Sequence, residues 1–312
     1  MNKPPSIRDG FGQGMIDIGS DTRVFALCAD LTESLRLNAF REKYPERFLE
    51  MGVAEQNMIG VAAGLALTGK VPFASSFACF SPGRTFDQIR VSVCDQQANV
   101  KIIGGHAGIS VGEDGATHQM LEDIAMMRTL PHMTVLVPAD YEQARMMVSS
   151  MLHLPGPIYL RLSRTGGAKV TTEAFQIGKS NILRSGKDLT VVACGLMVEK
   201  ALAAAEILTK LGLELEVINA ASIKPFDQET LLASVHKTKR VVTMEEHQIA
   251  GGLGSVVAEI LAKELPTKQC FIGIEDQFGQ SGTVDELFDY YQLSTDHIVR
   301  KIQNFITTGV ES

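Results

Sequence analysis

The first half of the chain alternates between helical patterns and short apolar runs. A polar-capped stretch at residues 6–18, a stretch of small residues at 52–67 and an amphipathic stretch at 84–98 are typical of helices. Apolar runs typical of buried strands occupy residues 22–30, 71–77, 100–105, 133–140 and 158–164. Strands that alternate with helices at this spacing predict a parallel sheet with helices on both of its faces.

A polar and irregular stretch at residues 166–187 interrupts the pattern. Apolar runs typical of strands then resume at residues 188–195, 214–220, 239–247 and 270–275, with helical stretches at 200–212 and 254–265. We therefore predict a first domain at residues 1–170, a linker at 171–187 and a smaller second domain at 188–312. The predicted fold class is α/β with two doubly wound domains.

The helix predicted at residues 52–67 carries an acidic residue on an apolar stripe. Ile59, Ala62 and Ala66 follow Glu55 at helical spacing, so we expect its carboxyl group to face inward. An inward carboxyl group costs several kcal/mol unless a partner hydrogen-bonds or neutralises it, and it is suited to proton exchange. Alternatively, Glu55 only stabilises the positive end of the helix, an effect of roughly 0.3–1 kcal/mol.

A second segment with candidate chemistry is the glycine-rich loop, defined here as residues 104–119, with the sequence GGHAGISVGEDGATHQ. Its five glycines permit positive φ angles and allow the backbone to approach a ligand closely. His106, Asp114 and His118 supply the side chains. By residue type alone they are candidates for substrate binding, for metal ligation or for hydrogen bonds within the loop.

Composition and charge narrow the class of protein. The 312 residues carry a formal charge of −7 and no long basic cluster, which argues against nucleic acid or an anionic membrane as a partner. The five cysteines fit no zinc or C-x-x-C spacing, and their odd number argues against a disulfide framework, so we expect a cytoplasmic location. We find no signal peptide and no apolar run of about 18 residues.

The segment GVAEQNMIGVAAGLAL, followed by PFASSFACF, resembles the pyrimidine-binding domain of transketolase. The resemblance implies that Glu55 contacts the aminopyrimidine ring of thiamine diphosphate and that Phe77 stacks on this ring, with Phe80 close by. A carboxyl group at the ring nitrogen N1′ favours the imino tautomer with which this cofactor removes its own C2 proton. Without the resemblance, both phenylalanines are typical of core packing. The segment Ser81-Pro82-Gly83 departs from the family, which usually continues with another aromatic residue.

The glycine-rich loop resembles the transketolase substrate loop through the pattern H-x-G-x-x-x-G-E-D-G-x-T-H-Q. The resemblance implies that His106 binds the sugar phosphate and that Asp114 binds a substrate hydroxyl. It also implies that His118 contacts the hydroxyl or carbonyl group at the reacting carbons. The implied catalytic residues are therefore Glu55 and His118.

Polar residues outside the loop complete the implied substrate site. Asp30 and Ser34 follow the strand predicted at residues 22–30, at the end where α/β sheets place ligand groups. By resemblance, Arg164 is a phosphate-binding arginine, Ser34 a phosphate-contacting serine and Arg8 a second arginine. Two arginines and a histidine suit a dianionic phosphate, although each residue alone is also typical of solvated surface charge.

The second half of the chain, with its EEHQIAGGLG turn, resembles the C-terminal domain of transketolase, which supports the dimer and not the chemistry. A complete transketolase also has an N-terminal half, in which a GDG-type motif holds a divalent cation against the cofactor diphosphate. We find no counterpart in this sequence and expect no metal site in the chain. The resemblance therefore implies the small subunit of a split transketolase, with Mg2+ on a diphosphate-binding N-terminal partner chain and an α2β2 assembly.

The implied activity is reversible transfer of a two-carbon ketol unit from a ketose phosphate to an aldose phosphate. The pathway is either the pentose phosphate pathway or the catabolism of a rare pentose phosphate. Three alternatives remain. A deoxyxylulose phosphate synthase usually carries Asp-Arg where Gly105-His106 stands, and the β subunit of a 2-oxo acid dehydrogenase lacks the phosphate-binding set. A non-catalytic regulatory subunit would have no use for Glu55, Asp114 and both histidines of the loop.

Overall fold

Strands alternate with helices through the first half of the chain in this computed structural model, which describes residues 5–171 and 173–308. Residues 1–4 and 309–312 of the predicted domains, and residue 172 of the predicted linker, lie outside the described residues. The strands are β1 (Val24–Cys28), β2 (Phe48–Glu50), β3 (Val71–Phe77), β4 (Lys101–Gly105), β5 (Thr134–Leu136) and β6 (Ile158–Arg161). The helices are α1 (Ile7–Ile18), α2 (Asn38–Lys43), α3 (Glu55–Leu67), α4 (Phe86–Gln88), α5 (Asp123–Thr129) and α6 (Tyr141–His153). Shorter helical turns are the 3-10 turns at Pro45–Arg47 and Ile109–Val111 and a π-helix at Ile89–Cys94.

The second half continues the same alternation. Its strands are β7 (Asn181–Arg184), β8 (Leu189–Ala193), β9 (Leu215–Asn219), β10 (Ser222–Lys224), β11 (Val241–Gln248) and β12 (Gln269–Ile274). Its helices are α7 (Met197–Thr209), α8 (Gln228–Thr238), α9 (Leu253–Glu264), α10 (Val284–Tyr290) and α11 (Thr295–Thr308).

The first sheet has the strand order β10–β5–β6–β4–β3–β1–β2 and is parallel except for the antiparallel pair β10–β5. Successive residues of a strand point to opposite faces, so Phe73 and Ala74 of β3 belong to two different core clusters. Helices α1 and α6 pack in the cluster of Phe73, and helices α3 and α5 in the cluster of Ala74. The first half is therefore the doubly wound sheet that the sequence predicts.

The second sheet has the strand order β12–β11–β8–β9–β7 and is parallel except for the pair β7–β9. Helices α7 and α11 belong to one core cluster, whereas α8 and α9 belong to the other. The predicted fold class, α/β with two doubly wound domains, is therefore confirmed.

Two strands depart from the predicted division of the chain. Strand β7 lies inside the linker predicted at residues 171–187 but pairs with β9 in the second sheet. Strand β10 comes from the predicted second domain but pairs with β5 in the first sheet. The predicted linker is thus not wholly irregular. The domain division itself stays a prediction.

The single helix predicted at residues 84–98 is wrong, because this segment consists of the short helix α4 and the π-helix that follows it. The N–H of Asp95 donates to the carbonyl of Arg90 across five residues, at 3.0 Å. Ile89, Val93 and Cys94 are buried, and the wider turn of a π-helix brings residues at this spacing onto one side.

Candidate active site

Five of the predicted site residues lie at the ends of four adjacent strands of the first sheet. In the sheet order, β6, β4, β3 and β1 are neighbours, and their carboxyl ends lie at one edge because the strands are parallel. Asp30 and Ser34 follow β1, Phe77 ends β3, His106 follows β4 and Arg164 follows β6. This is the edge at which doubly wound sheets bind ligands.

Glu55 is the first residue of α3, and its side chain is only 5% exposed. The Ser76 hydroxyl lies 3.5 Å from Oε1, and a guanidinium nitrogen of Arg84 lies 3.9 Å from Oε2. Both separations are long, and the Arg84 side chain is 55% exposed, so the chain itself satisfies this carboxyl group poorly. A buried carboxyl group without a close partner is costly, which suits a site where a ligand nitrogen completes the hydrogen bonding.

An aromatic cluster lies beside Glu55. The rings of Phe77 and Phe80 are stacked with centroids 5.9 Å apart, and the guanidinium carbon of Arg84 lies 4.4 Å from the Phe80 centroid. His118 contacts the Phe80 ring edge-on at a centroid distance of 5.5 Å. Arg84 therefore connects the carboxyl group to the aromatic cluster, and flat apolar surface lies next to a buried acid. A heteroaromatic ring with a basic nitrogen fits this combination.

His106 is 3% exposed and stacks on Phe77 with ring centroids 3.8 Å apart. Burial, with the nearby cations Arg8 and Arg164, lowers the pKa of His106 to about 3, so the ring is neutral near pH 7. A guanidinium nitrogen of Arg8 lies 3.3 Å from Nε2. Arginine only donates, so we assign the acceptor role to Nε2 and the proton to Nδ1. Nδ1 is buried and has no hydrogen-bond partner within the described chain, so its N–H is free for a ligand.

Helix α1 holds Arg8 in place. The side chains of Ser6 and Asp9 form a capping box at its start, and α1 packs so closely on α6 that a Cβ on Gly10 would lie 2.1 Å from the carbonyl oxygen of Tyr141. Arg8 donates to the backbone carbonyl of Ser34 at 2.9 Å, whereas its Nε is buried and unpartnered within the described chain. Arg8 thus retains donor capacity that a ligand can use.

Three arginines, Arg8, Arg36 and Arg164, line one cavity of about 440 Å³. Two acidic residues share the lining: Asp9 accepts from Arg36 Nε at 2.7 Å, and Glu113 lies 3.5 Å from Arg164. Burial lowers the pKa of Arg8, and the cation Arg36 adds to this effect. Cations outnumber anions in this cavity, which is the charge balance of an anion-binding pocket.

Arg36 is a member of this pocket that the sequence pattern did not single out. It lies two residues after Ser34 in the turn following β1 and has a positive φ of 59°. Its place in the same turn as a predicted phosphate contact is the signal that could have revealed it.

The remaining predicted residues, Asp30, Asp114 and His118, make fewer side-chain contacts with the rest of the site. Asp30 and Asp114 are exposed, and Asp30 contributes a backbone N–H to the Glu50 carboxylate at 2.7 Å. No side-chain hydrogen bond to Asp114 occurs among the described residues. The Thr117 hydroxyl lies 2.9 Å from His118 Nδ1, which leaves Nε2 of this half-buried ring for a ligand. The structure therefore brings His118 to the aromatic cluster but leaves the side chains of both aspartates exposed.

A larger cavity of about 730 Å³ lies elsewhere, lined by Gln248–Ala250 and Glu275–Phe278 among others, and none of the predicted site residues lines it. Among residues 5–171 and 173–308, no cluster of three or more histidine, cysteine or acidic side chains has the geometry of a metal site. The described helices are all too short or too polar to cross a bilayer.

Two protein-family models match the chain. The model described as "Transketolase, pyrimidine binding domain" matches residues 3–168, and "Transketolase, C-terminal domain" matches residues 178–298. Together they cover most of both sheets.

Individual proteins are also similar to the chain. A "Putative transketolase C-terminal section" from Methanocaldococcus jannaschii is 46% identical over 303 residues, which cover 95% of each protein. The "6-deoxy-6-sulfo-D-fructose transketolase subunit SqwH" from Clostridium sp. (strain MSTE9) is 43% identical over 282 residues, covering 90% of this chain and 88% of that protein. A solved structure described as "Split gene transketolase, inactive beta4 tetramer" is 42% identical, with a TM-score of 0.89, and the match covers 97% of this chain and 99% of the other.

Proposed function

Because this chain belongs to the transketolase family, we propose that it is the C-terminal subunit of a two-chain, thiamine diphosphate-dependent enzyme. The enzyme transfers a two-carbon ketol unit between a ketose phosphate and an aldose phosphate. The single observation that carries the proposal is the buried, poorly satisfied carboxyl group of Glu55 next to the Phe77–Phe80 cluster.

Glu55 and the aromatic cluster would hold the pyrimidine end of thiamine diphosphate. The bound cofactor supplies a nucleophilic carbon that takes the two-carbon unit from the donor. Glu55 would exchange a proton with ring nitrogen N1′ in water-poor surroundings. Phe77 and Phe80 would offer an apolar surface to the ring.

The three-arginine cavity would hold the terminal phosphate of the sugar. Arg8, Arg36 and Arg164 are cationic donors, and the free Nδ1–H of His106 would add a neutral one. Ser34 lies in the same turn as Arg36, next to Arg8. Phosphate at this end would place the carbon chain toward His106 and Phe77.

His118 lies against Phe80 and at a centroid distance of 6.4 Å from Phe77. We assign it to proton transfer at the hydroxyl or carbonyl group of the reacting carbons. Asp30 and Asp114, both exposed, are assigned to substrate hydroxyl groups.

The partner is proposed to be an N-terminal transketolase chain that binds the cofactor diphosphate with Mg2+, in a cytoplasmic α2β2 assembly. Relatives that match this chain end to end are named a C-terminal section and a subunit, which supports a second chain. The solved relative is described as an inactive β4 tetramer. For this chain we likewise expect no transfer activity without the partner.

The test is reconstitution. The chain is purified alone and together with the companion that co-purifies from its native source, and both samples are assayed with thiamine diphosphate, Mg2+ and a panel of phosphorylated ketoses and aldoses. We expect ketol transfer by the pair and none by the chain alone. Transfer by the lone chain at full rate would refute the two-chain proposal, and 2-oxo acid decarboxylation by the pair would favour a dehydrogenase subunit instead.

A further inference from the structure

The second domain contacts the glycine-rich loop directly through Glu246 of β11. The backbone N–H of Ser110 donates to Oε1 of Glu246 at 2.5 Å. Glu246 is 2% exposed and Ser110 is fully buried, so water does not compete for this bond. A hydrogen bond in such buried surroundings is stronger than one at the surface.

The fit of Glu246 against the loop depends on a glycine. Gly108 has a φ of +85°, and a Cβ on it would lie 2.3 Å from Oε1 of Glu246. The carboxylate therefore rests against the loop backbone at Gly108 and Ser110, and a side chain at position 108 would push the two apart. Gly108 is two residues from His106, so a shift here moves a predicted substrate contact.

Arg161 holds the backbone of Glu246 in place. Its guanidinium is 2% exposed, forms a 2.9 Å ion pair with the buried carboxylate of Asp123, and donates to the backbone carbonyl of Glu246 at 2.8 Å. Arg161 ends strand β6, so the first sheet holds the end of β11 in register with the loop. Oε2 of Glu246 is buried without a hydrogen-bond partner in the described chain, so Glu246 is retained at an energetic cost.

A separate contact holds the far end of the same loop. The Gln119 side-chain amide donates to the carbonyl of Gln280 at 3.0 Å and to that of Gly112 at 3.1 Å. A Cβ on Gly115 would lie 2.5 Å from the hydroxyl of Ser281. The second domain therefore fixes the loop on both sides of Asp114.

We propose that Glu246 is a positioning residue for the transfer reaction, which sets the glycine-rich loop, and with it His106, through the backbone of Ser110. The expected effect on substrate binding and turnover rests on the proposed function, whereas the effect on the loop does not. It gives the second domain a part in substrate binding, whereas the family resemblance assigned that domain to dimer support alone.

The test compares Glu246→Ala with Glu246→Gln, which keeps a side-chain carbonyl oxygen for the Ser110 N–H. The matched control is Glu216→Ala, since Glu216 is another 2% exposed glutamate of the second domain that pairs with a cation, Lys237, away from the loop. Amide hydrogen exchange of the loop is measured in the full chain, and KM, kcat and thiamine diphosphate affinity are measured in the assembled pair.

In Glu246→Ala we expect at least about tenfold faster exchange at Ser110, a free-energy change of about 1.4 kcal/mol. We expect KM for the sugar phosphate to rise about tenfold, with a smaller change in kcat and thiamine diphosphate affinity within about twofold. In Glu246→Gln, the Ser110 exchange rate and KM should both stay within about threefold of the parent values. Glu216→Ala should leave loop exchange and KM unchanged.

Unchanged exchange at Ser110 in Glu246→Ala would overturn the proposal, as would faster exchange with an unchanged KM. If Glu246→Ala fails to fold, Glu246→Asp replaces it, because one methylene less withdraws the acidic group from Ser110 but retains it. A parent pair without ketol transfer would refute the proposed function, and the exchange data alone would then decide whether Glu246 holds the loop.

Discussion

Arg8 and His106 form a donor–acceptor pair, with a guanidinium nitrogen of Arg8 3.3 Å from Nε2 of the imidazole. The pair fixes the tautomer of a neutral histidine, because Arg8 cannot accept a hydrogen bond. The consequence is that His106 keeps Nδ1–H as an unpartnered donor among the described residues without needing a positive charge.

Asparagine and glutamine, whose side-chain amides can each replace one ring nitrogen of histidine, should therefore behave differently at position 106. His106→Asn retains an N–H near the place of Nδ1 and tolerates the positive φ of 53° found there, whereas His106→Gln places its amide near Nε2, against Arg8. We expect KM for the sugar phosphate to rise less than about tenfold in the Asn variant and about a hundredfold in the Gln variant. Steady-state kinetics of the assembled pair provides the measurement. A lower KM for the Gln variant than for the Asn variant would mean that the proton of His106 is on Nε2 instead of Nδ1.

Replacing the carboxyl group of Glu55 by an amide should abolish most of the turnover. Glu55→Gln keeps the side-chain shape but cannot exchange a proton with N1′, so we expect kcat to fall by about 10²–10⁴-fold while thiamine diphosphate still binds. Single-turnover kinetics and calorimetry separate the two effects. The control is Glu42→Gln, which makes the same change at an exposed position of α2 and should be silent. Full activity of Glu55→Gln would rule out its catalytic role.

Arg36 should contribute to phosphate affinity. Arg36→Leu removes one of three cations from the cavity and leaves Asp9 without its arginine partner, so we expect KM for phosphorylated sugars to rise at least about fivefold. The inhibition constant of inorganic phosphate as a competitive inhibitor should rise by a similar factor. Arg23→Leu is the matched control, because Arg23 also pairs with an aspartate at 2.7 Å but lies outside the cavity. Equal effects of the two substitutions would contradict a specific role for Arg36.

A buried lysine should make the stability of the chain depend on alkaline pH. Lys101 is fully buried in β4, where it donates to the carbonyls of Leu154 and Gly156, and burial lowers its pKa to about 7. The unfolded lysine keeps its ordinary pKa near 10.5, so between these values the unfolded state binds more protons. The contribution of Lys101 is therefore complete above about pH 10.5 and is lost as pH falls toward 7, with a slope of up to about 1.4 kcal/mol per pH unit.

Urea unfolding of the parent and of Lys101→Met at pH 7, 8 and 9 tests this dependence. The free energy of unfolding of the parent, minus that of the variant, should increase with pH. The exposed Lys210→Met substitution should give a difference that does not change with pH. A flat difference for Lys101→Met would show that Lys101 keeps an ordinary pKa in the folded chain.

Local patterns were sufficient for the fold class and the family, because buried parallel strands and a helix of small apolar residues with one acid leave signatures in adjacent residues. The placement of Glu55 on α3 and of His106 after β4 follows from such patterns, although their roles stay predictions. Glu246 was missed because its contact with Ser110 joins residues 136 positions apart, and nothing in β11 alone marks a carboxylate that faces another domain. The π-helix was missed because the apolar positions Ile89, Val93 and Cys94 also suit an ordinary helix.

Strand β10 makes the first sheet dependent on residues far along the chain. Ser222–Lys224 pairs with β5, and the Lys224 ammonium donates to the carbonyls of Arg128 and Leu130 beneath it. A fragment that ends near residue 170 would leave β5 as an open edge, ready to pair with another molecule. Any fragment made to isolate the first sheet should therefore carry Ser222–Lys224 as well, so that strand β5 stays covered.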